Sequence, residues 1–381
     1  MKELFIKFIT KTINEVELNQ LYRLLEDPNN QSKFVRYLKD HHDVNSVLQK
    51  NNLDEAYNKV LKLIDNNSKP VKKLMPRWSK YVAAASIALL ISLPFIFNRD
   101  KIKDTNTSVV VNNNIVAGTD KAVLTLENGS SVPLEKGHTY TNQNLNSTGE
   151  SLIYTASKKE TKETQYNYLT TPRGGQYHLT LTDGTNVWLN AESQIKYPIV
   201  FTEGETRRVE LVYGEAYFDV TSSDQNGGAS FIVSNKLQDI EVLGTEFNVK
   251  AYNDENVIYT TLVEGKVTVS TVSESKTLSP NQQSVLNKEN TKISITNIEV
   301  KTETAWIKGQ FILQNKSLKE IMKVLSRWYD MDVDFANKDL EKVKFIGALH
   351  KDQSILDILN TIKSFNVIKD YEINDKQVIL K

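Results

Sequence analysis

The side chains able to cut or transfer a bond are few and scattered. Asp183, Glu215 and Glu246 lie beside glycines at expected strand ends. Two such carboxylates brought together would be the acid and the base or nucleophile of a hydrolase. Nothing in their spacing brings two of them to one place. The five histidines, His41, His42, His138, His178 and His350, are far apart except for the first pair. Adjacent positions on a helix point in different directions, so that pair makes no metal site. Arg173-Gly174-Gly175 lacks the Lys-Ser/Thr and the helix start of a phosphate loop. It reads as a tight lead into a strand, which assigns Arg173 and its glycines to the β fold. The absence of cysteine in 381 residues removes thiolate chemistry and any disulfide framework. No catalysis, cofactor or metal is therefore expected, and function must lie in recognition.

The elements that would carry such recognition are divided by one uncharged run, Tyr81 to Phe97. With Trp78, Ser79 and Lys80 it covers roughly 20 residues, about 30 Å of helix, enough to cross a hydrocarbon core. It is hydrophobic all round, whereas a core helix keeps a polar stripe, and it starts too far along the chain for a cleaved signal. A single transmembrane helix over 78–98 is predicted. Lys69, Lys72, Lys73, Arg77 and Lys80 precede it, while Arg99, Lys101 and Lys103 follow. That bias places the N-terminus inside and exports the larger C-terminal part. With 47 basic and 47 acidic residues there is no net field to draw a nucleic acid, and no direct nucleic-acid contact is expected.

Before the span, residues 1–77 read as short amphipathic helices. Leu18, Leu21, Tyr22 and Leu25 fall at i, i+3, i+4 and i+7, and Phe34, Tyr37 and Leu38 repeat the spacing after Asp27-Pro28-Asn29. Ala56, Tyr57, Val60, Leu61 and Ile64 form a last stripe. These faces belong either to a small self-contained bundle or to a segment that completes its core on a partner, since amphipathic helices commonly bind in grooves.

After the span, 99–120 is a linker whose Asp104–Asn114 stretch reads as a tether. From 121 to 304 the periodicity is two. Val123, Leu124 and Leu126 lead to Asn128-Gly129, a hairpin turn, and the polar stretch Thr139–Thr164 reads as a loop. Asp183-Gly184 makes a further turn. Val212-Tyr-Gly214-Glu-Ala-Tyr-Phe218 resembles Val242-Leu-Gly244-Thr-Glu-Phe247, with a fainter copy at Val263-Glu-Gly265. Such units suggest a β-solenoid ahead of a sandwich. From 305 to 381 the order is strand, helix, strand, strand, helix, strand. Ser317 and Glu320 form a capping box, Leu318, Ile321, Met322 and Leu325 one stripe, Ile355, Ile358, Leu359 and Ile362 another, and Phe345–Leu349 a strand. The chain ends in a hairpin turning at Asn374-Asp375. The fold class is thus multidomain: a small all-α cytoplasmic segment, one transmembrane helix, an all-β periplasmic domain, solenoid- or sandwich-like, and a C-terminal α+β module.

Several motifs in this order are similar to one family. Ala122-Val-Leu-Thr-Leu-Glu-Asn-Gly129, Thr171-Pro-Arg-Gly-Gly-Gln176, Leu181-Thr-Asp-Gly-Thr-Asn-Val-Trp-Leu-Asn190 and the two glycine-centred repeats resemble the FecR family of membrane-bound anti-sigma factors. The C-terminal module resembles the form found in Bacteroidetes and the short domain of secretins and TonB-dependent receptors. The resemblance implies an inner-membrane relay. A TonB-dependent outer-membrane receptor contacts the periplasmic part through its N-terminal signalling domain, membrane proteases cut near the span, and the cytoplasmic segment holds an extracytoplasmic-function sigma factor. Leu18, Leu21, Tyr22, Leu25, Phe34, Tyr37 and Leu38 would then face the sigma factor. Trp328, Tyr329, Val333, Phe335 and Phe345 are the candidates for the receptor contact. The alternative is a non-signalling, membrane-anchored envelope scaffold or glycan-binding protein.

Overall fold

The computed structural model describes residues 109–142, 145–154 and 164–381, together with Gln20, Leu21, Arg23 and Leu24. Met1–Thr105 and Asn106–Lys381 form separate compact units. The predicted span and nearly all of the predicted N-terminal helices lie outside the described residues. Among the described residues no helix is long and apolar enough to cross a membrane.

The second unit is mostly β. Alternation of apolar and polar residues buries one face of each strand, and two sheets share a single core between them. It holds Leu124, Leu169 and Phe231 from one sheet and Leu179, Val187, Phe218 and Phe247 from the other, all completely buried. Each such side chain contributes roughly 1.5–3 kcal/mol. The first sheet runs, neighbour by neighbour, through Ser131–Glu135, Thr119–Thr125, Tyr166–Thr171, Ser193–Pro198, the first half of Arg207–Asp219, Phe231–Asn235, Gln238–Val242, Val267–Ser270 and Ser275–Leu278. The second runs through Tyr140–Asn142, Leu145–Ser147, Ser151–Tyr154, Gly175–Thr180, Asn186–Leu189, the second half of Arg207–Asp219, Glu246–Ala251, Val257–Glu264, Gln282–Asn287 and Ile293–Asn297. The strand Arg207–Asp219 passes through both.

This arrangement decides between solenoid and sandwich. Successive coils of a solenoid pair parallel, but here the repeated segments lie side by side antiparallel, with Phe218 opposite Phe247 and their rings stacked 5.1 Å apart. The similarity arises because hairpins alternate between two facing sheets, and Gly214, Gly244 and Gly265 mark the places where the chain changes sheet. At Gly214 the backbone has φ 99° in mid-strand, and a Cβ there would lie 2.4 Å from the Cα of Ser193. The domain is a sandwich of stacked hairpins.

The turns at Asn128-Gly129 and Asp183-Gly184 form as expected, with Leu126 N–H donating to Ser130 at 2.9 Å and Leu181 N–H to Thr185 at 2.9 Å. The polar stretch expected as a loop carries three of the strands above, Tyr140–Asn142, Leu145–Ser147 and Ser151–Tyr154. Its buried Leu145, Leu152 and Tyr154 drive this, spaced too sparsely to stand out among so many polar neighbours.

The C-terminal module contains helices α1 (Val300–Thr304), α2 (Leu318–Tyr329) and α3 (Ile355–Ser364). The capping box is present: Glu320 N–H donates to Ser317 Oγ, and Ser317 N–H to Glu320 Oε2 at 2.7 Å. Both predicted stripes are buried. The segment Phe345–Leu349, predicted as one strand, is split at Gly347 into Lys344–Phe345 and Ala348–His350. The module's main sheet has the order Val109–Asn113, Tyr371–Asp375, Gln377–Leu380, Asp332–Phe335. Its first strand comes from the stretch read as a tether. Val109-Val-Val111 is a β-branched triplet, which favours the strand despite the polar residues around it.

Candidate functional site: the junction between the β domain and the C-terminal module

The Thr171-Pro-Arg-Gly-Gly-Gln motif does more than lead into a strand. It leaves the first sheet and closes over the C-terminal end of α2, where helix carbonyls lack partners. Gly174 N–H donates to the carbonyl of Arg327 at 2.7 Å. Arg173 Nη2 donates to the carbonyl of Ser326 at 3.2 Å and also to that of Met331, and its Nη1 donates to Asp332 Oδ1 at 3.0 Å. A cation at this end of the helix also suits its dipole. The assignment of Arg173 to the β fold alone is therefore corrected: it joins the two bodies.

From the last turn of α2, Arg327 points back into the β domain, only 5 % exposed along its side chain. Its Nε meets Glu192 Oε2 at 3.1 Å, Nη2 meets Asp254 Oδ1 at 2.6 Å and Nη1 meets Glu255 Oε1 at 3.1 Å. The guanidinium lies 3.6 Å above the ring of Tyr252, whose hydroxyl donates to the carbonyl of Ala191 at 3.0 Å. Planar, multiply donating and stacked, this is a site where lysine would not substitute. Burial opposes ionisation of Asp254, but the hydrogen bond from Lys323 and the charge of Arg327 outweigh it and hold that carboxyl below the usual range.

Lys351 is the second anchor. It is 5 % exposed, with Nζ donating to Gln176 Oε1 at 2.7 Å and lying 4.2 Å above the ring of Trp328, near Trp306 and Phe311. Burial pushes its pKa down to about 7, while Glu215 and Asp120 act against that. The aromatic faces also favour the charged form. Trp328 donates from Nε1 to the carbonyl of Lys351 at 2.9 Å, and its ring leaves so little room that a Cβ on Gly118 would approach it to 2.7 Å. Between about pH 7 and 10 the unfolded chain holds the Lys351 proton more tightly than the folded chain, so stability should rise with pH by up to ~1 kcal/mol per unit. Thermal unfolding at pH 7 and 8.5 measures this, and Lys351→Met should remove the slope.

Glu215 lies between these anchors, buried. Asn190 Nδ2 donates to Oε2 at 2.8 Å and Asn248 Nδ2 to Oε1 at 3.0 Å, while Trp306 Nε1 donates to Asn248 Oδ1 at 3.3 Å. Burial raises its pKa, opposed by Lys250 and these two amides. The other carboxylates have partners elsewhere. Asp183 pairs with buried Arg207 at 2.8 Å, and Glu246 accepts from the Tyr217 hydroxyl at 2.6 Å. Each of the three has a structural partner. Among the described residues no His, Asp or Glu cluster is placed to hold a metal. The chemistry here is that of a polar, ion-paired joint.

The predicted receptor contacts divide. Trp328 and Tyr329 are 4 % and 1 % exposed, and the Tyr329 hydroxyl donates to the carbonyl of Gln353 at 2.7 Å. Their place as receptor contacts is corrected: packing on the stripe of α2 turns both inward. Val333, Phe335 and Phe345 are half-buried against the module core. Of the predicted sigma contacts, Leu21 is helical and buried. Leu18, Tyr22, Leu25, Phe34, Tyr37 and Leu38 lie outside the described residues. Arg327, Lys351 and Tyr252 were not anticipated. Arg327 carried no local signal: at about 100° per residue it falls on the side of its helix opposite the Leu318, Ile321, Met322 and Leu325 stripe, where a charge is ordinary.

Comparison with known proteins matches this two-part architecture. The family described as FecR protein matches residues 167–268, and that described as FecR, C-terminal, matches 310–380. None of the curated proteins matches. Two crystal structures of a candidate anti-sigma factor from Parabacteroides distasonis ATCC 8503 are similar at 29 % and 30 % identity, each with TM-score 0.50. Each alignment covers 56 % of this chain and 98 % of the other. The chain belongs to the FecR family of anti-sigma factors.

Proposed function

We propose that this protein is a single-pass inner-membrane regulator that holds an extracytoplasmic-function sigma factor through residues 1–77. Its second unit faces the periplasm and meets the N-terminal signalling domain of a TonB-dependent outer-membrane receptor, and the protein is not an enzyme. Family membership supports a sigma factor as partner, and family members are typically membrane-anchored. The apolar run 78–98 supplies the anchor. The observation that carries the proposal is the junction itself: the two family-matched parts form one unit through buried ionic contacts around Arg327. A unit joined in this way can pass an event at the C-terminal module to the rest of the chain. A single transmembrane helix is a poor lever for a small rotation, so membrane proteases that cut it are the natural next step.

The test is co-purification of residues 1–77 with the sigma factor encoded nearest the gene, followed by transcription with and without the fragment. A stable complex that changes transcription is expected. If no sigma factor is retained, the regulatory assignment fails and a membrane-anchored scaffold takes its place.

A further inference from the structure

The main sheet of the C-terminal module has two edges, and they are built differently. Along Asp332–Phe335, Asp332 and Asp334 are exposed, and Asp332 is tied to Arg173 of the β domain. Edge charges of this kind discourage another strand from adding. At the opposite edge, Tyr371–Asp375 is covered by Val109–Asn113 in parallel, with a register shift between Val110 and Asn112. Parallel pairing is slightly weaker per residue and a bulge interrupts the ladder. The core side chains of the sheet sit on the next two strands, where Tyr371, Ile373, Val378 and Leu380 are buried. The covering strand is short and irregular, and it is drawn from the part of the chain that follows the apolar run.

We propose that the Tyr371–Asp375 edge is a strand-acceptor site, occupied in cis by Val109–Asn113 and taken in trans by an extended edge strand of the receptor's signalling domain. This rests on the receptor assignment above. Backbone hydrogen bonds would supply the attraction, as in other strand-addition complexes. The incoming strand displaces the chain's own, and the freed segment becomes the extended, unpaired backbone that proteases bind. The receptor contact therefore moves from Val333 and Phe335 to the other side of the sheet.

The experiment uses the full chain in detergent in three forms: wild type, V110P/N112P, which cannot pair at the edge, and N112C/N374C, which joins two register partners. With no native cysteine, oxidation gives one defined disulfide. The probes are a fluorescent peptide of residues 107–116 and the isolated signalling domain of the receptor encoded beside the gene. Both should bind the proline variant at least about tenfold more tightly than wild type, which must first open its own strand. Neither should bind the oxidised variant, and reduction should restore wild-type binding. Equal binding of the peptide to all three forms, or to none, overturns the acceptor site. If the peptide ranks the variants as expected while the signalling domain binds none, the acceptor stands and the receptor assignment fails.

Discussion

Arg327→Ala should separate the C-terminal module from the β domain while leaving the core of each intact. Removing one member of a buried ion pair costs about 3–5 kcal/mol, because its partners are left with uncompensated charge. Here Glu192 and Asp254 are 45 % and 57 % exposed and Glu255 only 12 %, which places the expected loss near the lower figure, about 3 kcal/mol. Arg327→Lys keeps the charge but loses the three-way fork and the stacking on Tyr252, and should fall between the two. Hydrogen exchange is the measurement. Amides of α2 and of the Asp254–Glu255 turn should lose protection, while those of the strands around Phe218 keep theirs. Unchanged protection in α2 would mean that the ion cluster does not hold the joint.

Gly214→Val should be the most damaging single change in the β domain. The glycine sits where one strand crosses from the first sheet to the second, at φ 99°, and its missing Cβ faces Ser193 Cα at 2.4 Å and Oγ at 2.2 Å. The clash is with a neighbouring backbone, and Ser193 is itself fixed, accepting at Oγ from Glu215 N–H at 2.8 Å. Backbone strain and overpacking together predict a loss of about 4 kcal/mol or more. Gly129→Ala is the control. It has positive φ, 81°, but no heavy atom within 4 Å of the added carbon, so it should cost only about 1 kcal/mol. Urea midpoints of the two variants compare them directly.

These two residues show what was legible in the sequence. The glycine repeat was visible as a pattern, and its spacing marked real equivalences. Its geometry was not, because a chain that alternates between facing sheets and one that coils leave the same short signature, and only the direction of pairing separates them. The stripes of α2 and α3, the capping box and the Asn128-Gly129 turn depend on residues within a few positions of one another, and local rules recovered them. Arg327, Lys351 and Tyr252 meet only after folding: Arg327 and Asp254 are 73 positions apart, and Lys351 and Gln176 are 175. No periodicity relates them. Trp328 and Tyr329 looked like contacts because large aromatics suit both interfaces and cores, and the sequence alone assigns neither.

The pairing of Val109–Asn113 with Tyr371–Asp375 also sets the order in which the molecule can be made. Asn114 and Asp375, hydrogen-bonded at 2.9 Å, are 261 positions apart. At ~5–20 residues per second, the ribosome needs roughly 13–50 s between them. Throughout that interval the valine triplet has no strand to pair with, while the hairpins of the sandwich can close one after another as they emerge. The first strand synthesised in this unit is thus among the last to be placed, and a nascent chain stopped short of its final hairpin would leave that strand permanently without its register partner.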